Sequence, residues 1–293
     1  LYSYLIKDKY DIIVSYLEGP TARIVSGCTN PDTKLVSWIH IEQHNGKAAS
    51  GSFKNYNEAL KCYSKFDRTI CVSKTVKEDF QSIFDLKNPV DVLYNTNESD
   101  LIVKKAKDKI VDVTFDKDVY NLVSVAKIVP SKGYDRLLKI HKKLLDDGIK
   151  NHIYILGIGE EQEKYEKYLK DNHLEDTFTF LGFRDNPYKY VKNADLYVCS
   201  SRREGFSTAV TEALIVGTPV VSTNCSGAYE LLGDNNEYGI VTENDEDALY
   251  DGIKKILTEK GLLDHYAKQA KVRGKRFSTE KTVKAVEDMF CEL

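Results

Sequence analysis

The chain has 293 residues, 42% of them hydrophobic and 30% charged, which is enough for two domains that each bury a core; its 6 Pro and 17 Gly exclude a disordered, low-complexity or collagen-like make-up. Its 42 Lys+Arg against 45 Asp+Glu give a formal net charge of -3. No uniform positive field therefore exists to hold a polyanion by counterion release, and nucleic acid is set aside as the main partner.

The six cysteines, Cys28, Cys62, Cys71, Cys199, Cys225 and Cys291, are scattered, with no Cys-x-x-Cys pair and no Cys/His spacing that closes a tetrahedral zinc site. They read as reduced thiols in a cytoplasm. No uncharged apolar run approaches the ~20 residues that span a bilayer, and residues 1–10 are too charged and aromatic for a signal-peptide core.

Short β-rich runs alternate with helical patterns, the signature of βα units stacked into parallel sheets with helices on both faces. The first domain, 1–95, offers strands over 11–16, 35–39, 69–72 and 90–94. A lysine-bearing stretch without clean periodicity follows, read as a linker over 96–117. A more regular series then gives strands over 121–128, 152–157, 177–181, 194–200, 218–223 and 239–242, which make one doubly wound domain over 118–275. Within it a helix over 135–147 puts Leu137, Leu138, Leu144 and Leu145 on one stripe, and His141 falls on that stripe as a core histidine. Leu249, Ile253, Ile256 and Leu257 repeat the pattern. A last helix, within 276–293, is expected to pack back on the first domain.

Two segments carry candidate chemistry. Residues 200–214, Ser-Ser-Arg-Arg-Glu-Gly-Phe-Ser-Thr-Ala-Val-Thr-Glu-Ala-Leu, follow a strand and open a helix. Gly205 is expected to supply a sharp turn and Ser207 or Thr208 the helix cap, so that the first-turn amides face the space above the strand end, where an anion binds best. Glu204 in the loop and Glu212 about a turn into the helix can then face one crevice and accept hydrogen bonds from sugar hydroxyls. Taken alone, the pair reads equally well as one glutamate complementing the helix dipole and one in solvent. In the segment 125–134, Val-Ala-Lys-Ile-Val-Pro-Ser-Lys-Gly-Tyr, Lys127 closes a strand and Lys132 precedes a glycine at a helix start. Both ammonium groups can reach the crevice at the sheet's carboxyl edge and neutralise a pyrophosphate, each charge-assisted hydrogen bond contributing about 1.5 to 3 kcal/mol. Alone, such a loop reads as two solvated lysines.

In this order the two segments resemble the retaining nucleotide-sugar glycosyltransferases of the GT-B fold, specifically glycosyltransferase family four, over nearly the whole chain. The strongest element is Glu204 and Glu212 with seven residues between them, followed by Ala-Leu-Ile-Val-Gly-Thr-Pro-Val-Val over 213–221. Phe180-Leu181-Gly182-Phe183, Ala194-Asp195-Leu196-Tyr197-Val198 and Tyr238-Gly239 support it. The resemblance implies an α/β fold of two Rossmann-like doubly wound domains facing a cleft. It also implies transfer of a hexose or N-acetylhexosamine from a nucleoside diphosphate sugar, with UDP the expected nucleotide, to a glycan or lipid-linked acceptor. Such transfer serves cell-surface polysaccharide or glycoconjugate synthesis, retains anomeric configuration, and uses no metal and no further cofactor.

What the resemblance implies for single residues is equally specific. Glu204 and the amides of Gly205, Phe206 and Ser207 hold the donor sugar and its phosphate, and Glu212 binds the ribose hydroxyls. Lys127, where the family more often has Arg, and Lys132 stabilise the leaving diphosphate; a point charge in place of a fork keeps the sign but alters the geometry. The turn Gly182-Phe183-Arg184 meets the base. Val36-Ser37-Trp38-Ile39-His40 resembles the strand whose terminal histidine faces the donor sugar, which makes His40 the candidate for orienting or polarising the reacting centre, with His44 as the alternative. Glu18 either lines the acceptor cleft or is a solvated loop acid. Such acceptors place the protein in the cytoplasm or at the inner membrane face, where Lys104 and Lys105 either make peripheral contact or are simply solvated.

One departure concerns the start: the family opens with a βα unit whose Gly-rich loop faces the donor phosphates, and none precedes Leu1, so the first domain is expected to be incomplete and the native protein longer. A nicotinamide-dependent oxidoreductase is the rival from another class, on Leu156-Gly157-Ile158-Gly159, but position 162 is Gln, and Glu160, Glu161 and Glu163 set negative charge where a pyrophosphate would sit. Asp116-Lys117-Asp118 precedes a strand and Asp245-Glu246-Asp247 opens a helix, so neither stands at a strand exit to hold a metal. A sugar-nucleotide epimerase and a catalytically silent partner subunit share the fold; the retained Glu204, Lys127, Lys132 and Glu212 argue against the silent subunit.

Overall fold

The computed structural model describes residues 2–293, which group into two compact units. The first comprises residues up to Asn95 together with Thr282–Leu293, and the second Thr96–Lys281.

In the first unit the order is α1 (Tyr2–Leu5), β1 (Ile12–Ser15), α2 (Pro20–Val25), β2 (Lys34–Ile39), α3 (Gly46–Ala49), α4 (Tyr56–Tyr63), β3 (Arg68–Cys71), α5 (Lys74–Ile83) and β4 (Val90–Val92). The strands pair in parallel in the order β1-β2-β3-β4, with Val14 beside Val36 and Trp38 beside Ile70. Three helices begin on polar caps, the side chains of Asn45, Asn55 and Ser73 accepting from the amides of Ala48, Glu58 and Val76. Phe80 and Phe84 close on Tyr63 with ring centroids 5.1 and 5.0 Å away, an aromatic core beneath the sheet.

The second unit runs α6 (Ser99–Lys105), β5 (Tyr120–Val125), α7 (Tyr134–Asp146), β6 (Asn151–Leu156), α8 (Gln162–Asp171), β7 (Phe178–Gly182), α9 (Tyr188–Asn193), β8 (Leu196–Cys199), α10 (Thr208–Val216), β9 (Val220–Thr223), α11 (Ala228–Leu232), β10 (Ile240–Thr242), α12 (Glu246–Thr258) and α13 (Leu262–Gly274). Its six-stranded sheet is parallel throughout, in the order β10-β9-β8-β5-β6-β7. Leu137, Leu138, Ile140 and Leu144 of α7 and Leu249, Ile253, Ile256 and Leu257 of α12 are buried in the core of this sheet, as their spacing demanded. His141 is fully buried and satisfied, its ring nitrogens 2.7 Å from Asn151 Oδ1 and 2.9 Å from Thr177 Oγ1. The last helix, α14 (Thr279–Cys291), begins in the second unit, but from Thr282 onward its residues group with the first, where Arg68 donates to Glu292 at 2.9 Å.

The stretch 96–117 corrects the reading of a bare linker: it contains α6 and groups with the second unit. Ile102 and Ala106, one helical turn apart and both 2% exposed, hold it down, a short apolar stripe that the surrounding lysines obscure. Among the described residues no helix is long and apolar enough to cross a membrane.

Candidate active site

Strand order places the site. From β5 the chain moves outward through β6 and β7, then returns to lay β8 on the other side of β5. Beyond the carboxyl ends of β5 and β8 the connecting loops therefore diverge and leave a crevice, the topological switch point of such sheets. The loops bordering it carry the two segments with candidate chemistry, Lys127–Gly133 after β5 and Ser200–Ser207 after β8.

The two loops are stitched together. Gly133 has φ 68°, and a Cβ there would lie 2.1 Å from the Ser200 carbonyl oxygen. The position needs glycine both for its left-handed backbone and for the close approach. The Ser200 hydroxyl donates to the Lys132 carbonyl at 2.8 Å, the Arg202 amide donates to Ser131 at 2.7 Å, and the Arg202 guanidinium grips both oxygens of Asp135 at 2.7 Å. That forked pair raises Arg202 and lowers Asp135 from their ordinary values.

Held this way, Lys132 Nζ stands 2.7 Å from Glu204 Oε1, and the Ser201 hydroxyl donates to the same oxygen at 2.5 Å. Their side chains are 24% and 16% exposed, so the pair keeps one side open. They line a cavity of about 300 Å³ together with Lys127, Phe206, Ser207 and Thr208. Ser207 caps α10, its side chain accepting from the Val210 amide. The cavity thus meets two lysines, one carboxylate and the amino end of a helix.

Other expected residues fall differently. Gly205 and Phe206 form a bend between β8 and α10, as expected; beside them Gly227 is held in the left-handed region with φ 76°, where a Cβ would come within 2.8 Å of the Phe206 ring. Phe206 is 5% exposed and meets Phe277 at 5.8 Å between ring centroids, so its side chain anchors the loop in the core. Glu212 lies outside the residues lining the cavity, half-buried and hydrogen-bonded to Tyr188 at the start of α9. Burial pushes its carboxyl up to about 7, against the lowering effect of that hydrogen bond. Gly182 ends β7 with φ 73°, and Phe183 beside it is 66% exposed. The Arg184 guanidinium is occupied locally, 3.0 Å from Asp112 and 3.3 Å from the Tyr190 hydroxyl.

In the first unit His40 leaves β2 with its amide donating to Glu18 Oε2 at 3.0 Å. Glu18 therefore fixes local backbone. The His40 ring packs edge-on against Tyr16 with centroids 4.9 Å apart, and its Nε2 is buried without a hydrogen-bond partner, as is Nε1 of Trp38 one pleat earlier. Burial lowers the imidazole, while Glu18 and a hydrogen bond to the Tyr16 backbone pull the other way. His44 sits exposed in a left-handed turn, its amide donating to Asp79 at 3.0 Å.

The dinucleotide motif has a packing role. A side chain on Gly157 or Gly159 would meet the carbonyls of Ala126 and Ile128, because the loops after β5 and β6 touch there. A larger cavity, about 1500 Å³, lies at the opposite edge of the sheet, where β5, β6 and β8 begin; it is lined by the stretch leading into β5 and by the loops that bring the chain from α7 into β6 and from α9 into β8. The sequence reading missed Ser201, Tyr188, Tyr16 and Arg136. For Arg136 a signal existed: its position falls on the apolar face of α7.

Known proteins resemble this chain in sequence and in fold. The profile of the family described as glycosyl transferases group 1 matches residues 106–273. The N-acetylgalactosamine-N,N'-diacetylbacillosaminyl-diphospho-undecaprenol 4-alpha-N-acetylgalactosaminyltransferase of Campylobacter jejuni is 29% identical over 282 residues, covering 95% of this chain and 72% of its own. Among solved structures, Anabaena HepE in complex with UDP superposes with a TM-score of 0.80 at 18% identity, over 97% of this chain and 79% of its own. TarM gives 0.77 at 20% identity over 99% of this chain, which spans 57% of the TarM chain. Both structures share the α/β GT-B fold of parallel sheets.

Proposed function

The chain belongs to the glycosyl transferases group 1, and from that premise we propose that it is a retaining, metal-independent transferase of the family-four type. Its donor is a UDP-linked hexose or N-acetylhexosamine, and its acceptor a glycan or lipid-linked glycan of cell-surface synthesis at the cytoplasmic membrane face. The observation that carries the reading is the contact of Lys132 with Glu204 at the switch point, beside Lys127 and the amino end of α10. The UDP of the HepE complex and the undecaprenol-linked substrate in the name of the Campylobacter relative support the donor and acceptor classes.

In this reading the bond between the anomeric carbon and the diphosphate oxygen loosens first. Lys127, Lys132 and the first amides of α10 take up the charge developing on the diphosphate. The acceptor hydroxyl attacks from the face the diphosphate leaves, and its proton passes to the departing phosphate oxygen. Glu204 orients the donor sugar, Glu212 accepts from the ribose, and the exposed turn at Phe183 meets the base.

The test is calorimetric titration of UDP, GDP, ADP and NAD into the protein and its Glu212→Ala variant, followed by product analysis with UDP-sugars. Selective binding of UDP, weakened in the variant, and release of free sugar support the reading. Return of an isomerised sugar nucleotide assigns an epimerase, and binding of NAD alone sinks it.

A further inference from the structure

Arg136 stands in the first turn of α7 and is 4% exposed. Its donors are spent on backbone and amide oxygens: Nε and Nη2 on the Ser200 carbonyl at 2.9 and 2.5 Å, Nη2 on the Ser201 carbonyl and on Asn244 Oδ1 at 2.8 Å, and Nη1 on the Asn244 carbonyl at 3.2 Å. None of these acceptors is a carboxylate. The neighbouring acid, Asp135, is gripped through both oxygens by Arg202. Burial lowers Arg136 from its ordinary value, and the Arg202 charge adds to the effect.

A buried cation with no carboxylate on its donors is costly, and here the oxygens it gathers, with the charge of Asp135 nearby, offset the cost. Two of them belong to the loop that carries Glu204. With the Ser200 and Ser201 carbonyls taken by the guanidinium, the loop presents the Ser201 hydroxyl and Glu204 to the cavity. The same helix start carries Gly133 and Lys132, and the Ser200 hydroxyl returns a hydrogen bond to the Lys132 carbonyl. Arg136 thus ties both sides of the Lys132–Glu204 contact through backbone, and it does not itself line the cavity.

We propose that Arg136 is the positioning residue of this site: by holding the Ser200 and Ser201 carbonyls it sets Lys132 and Glu204 against each other, and its charge, bound to no carboxylate, adds to the positive potential met by a bound diphosphate. The role in turnover rests on the transferase reading above.

The experiment compares wild type, Arg136→Lys and Arg136→Met by hydrogen exchange, by the rate of amine labelling at Lys132, by UDP titration and by hydrolysis of UDP-N-acetylglucosamine and UDP-glucose. In Arg136→Met, amides 201–206 are expected to exchange at least about tenfold faster while α12 is unchanged, and Lys132 to label about fivefold faster. The hydrolysis kcat should fall about 30-fold with the UDP Kd within threefold, and Arg136→Lys should recover about tenfold of that loss. Faster exchange throughout the second unit with equal losses in kcat and UDP affinity would reduce Arg136 to a packing residue and overturn the proposal, as would no change in any readout. Wild type that neither binds UDP nor hydrolyses a donor would sink the transferase reading by itself. The exchange and labelling arms would then still decide, local effects upholding the positioning role and absent or diffuse ones overturning it.

Discussion

Lys132 and Glu204 lie 72 residues apart in the chain and 2.7 Å apart in space. Each comes from a loop leaving the carboxyl end of a central strand, and the two strands are neighbours only because the chain doubles back across β5. The contact is therefore a product of topology, and it lines the cavity beside Lys127 and the amino end of α10.

Replacing Lys132 with Ala is expected to lower donor turnover about 100-fold while changing UDP affinity less than tenfold, the scale for losing one preorganised cationic donor. Steady-state hydrolysis of a UDP-sugar and calorimetry on the same preparation separate the two. Equal losses in both would assign Lys132 to ground-state binding.

The close approach at Gly133 can be isolated from its backbone conformation. Gly148 has φ 78°, and a methyl group added there would meet nothing within 4 Å, whereas at Gly133 it would stand 2.1 Å from the Ser200 carbonyl oxygen. Gly148→Ala is expected to cost about 1 to 2 kcal/mol, the left-handed penalty alone, and Gly133→Ala at least about 2 kcal/mol more as the overpacked loops separate. Urea unfolding of the two variants measures the difference; equal values would mean that the loops yield freely.

His141 should govern part of the acid limb of stability. Burial lowers its pKa from 6.5 to about 4, against the raising effect of Asn151. The unfolded chain therefore takes up a proton below about pH 6.5 that the folded chain refuses. The stability from this neutral histidine is present above that pH and is lost as pH falls through about 4, up to about 3 kcal/mol in all. A His141→Gln variant, less stable at neutral pH, should show a flatter decline from pH 6.5 to 4 in denaturant melts. An unchanged slope would show that another group sets it.

The strands were legible because parallel strands covered on both faces read as short β-rich runs, continuous and apolar in Leu196–Cys199 and closed by β-branched or small residues in Val220–Thr223. Lys132, Glu204 and Ser207 were legible because strand exit, loop and cap follow one another locally. Arg136 was legible only as a position on the apolar face of α7: a pattern reading sends charged side chains to solvent, and the Ser200 and Ser201 carbonyls with Asn244 are what justify its burial. The left-handed turn at Gly227 was hidden for a related reason: only the fold brings that second loop against Phe206. The contact of Glu212 with Tyr188 likewise depends on how α9 packs on α10, which neither segment encodes alone.

Burial, against that contact, makes Glu212 a group whose charge changes near neutral pH. Burial raises it from 4.5 to about 7, so the folded chain holds a proton that the unfolded chain has released. Its contribution to stability is full below about pH 4.5 and is lost as pH rises through about 7, on the order of 3 kcal/mol in all. Glu212→Gln, which mimics the protonated acid, should accordingly match wild type near pH 4.5 and be the more stable of the two at pH 8. Ligand binding should run the opposite way. In the proposed reading ribose hydroxyls donate to the ionised carboxylate, so affinity for a UDP-sugar, whose diphosphate diester does not titrate in this range, should rise severalfold between pH 6 and pH 8. The Gln variant should bind with little pH dependence. A wild-type profile parallel to that of the variant would remove Glu212 from the ribose contact.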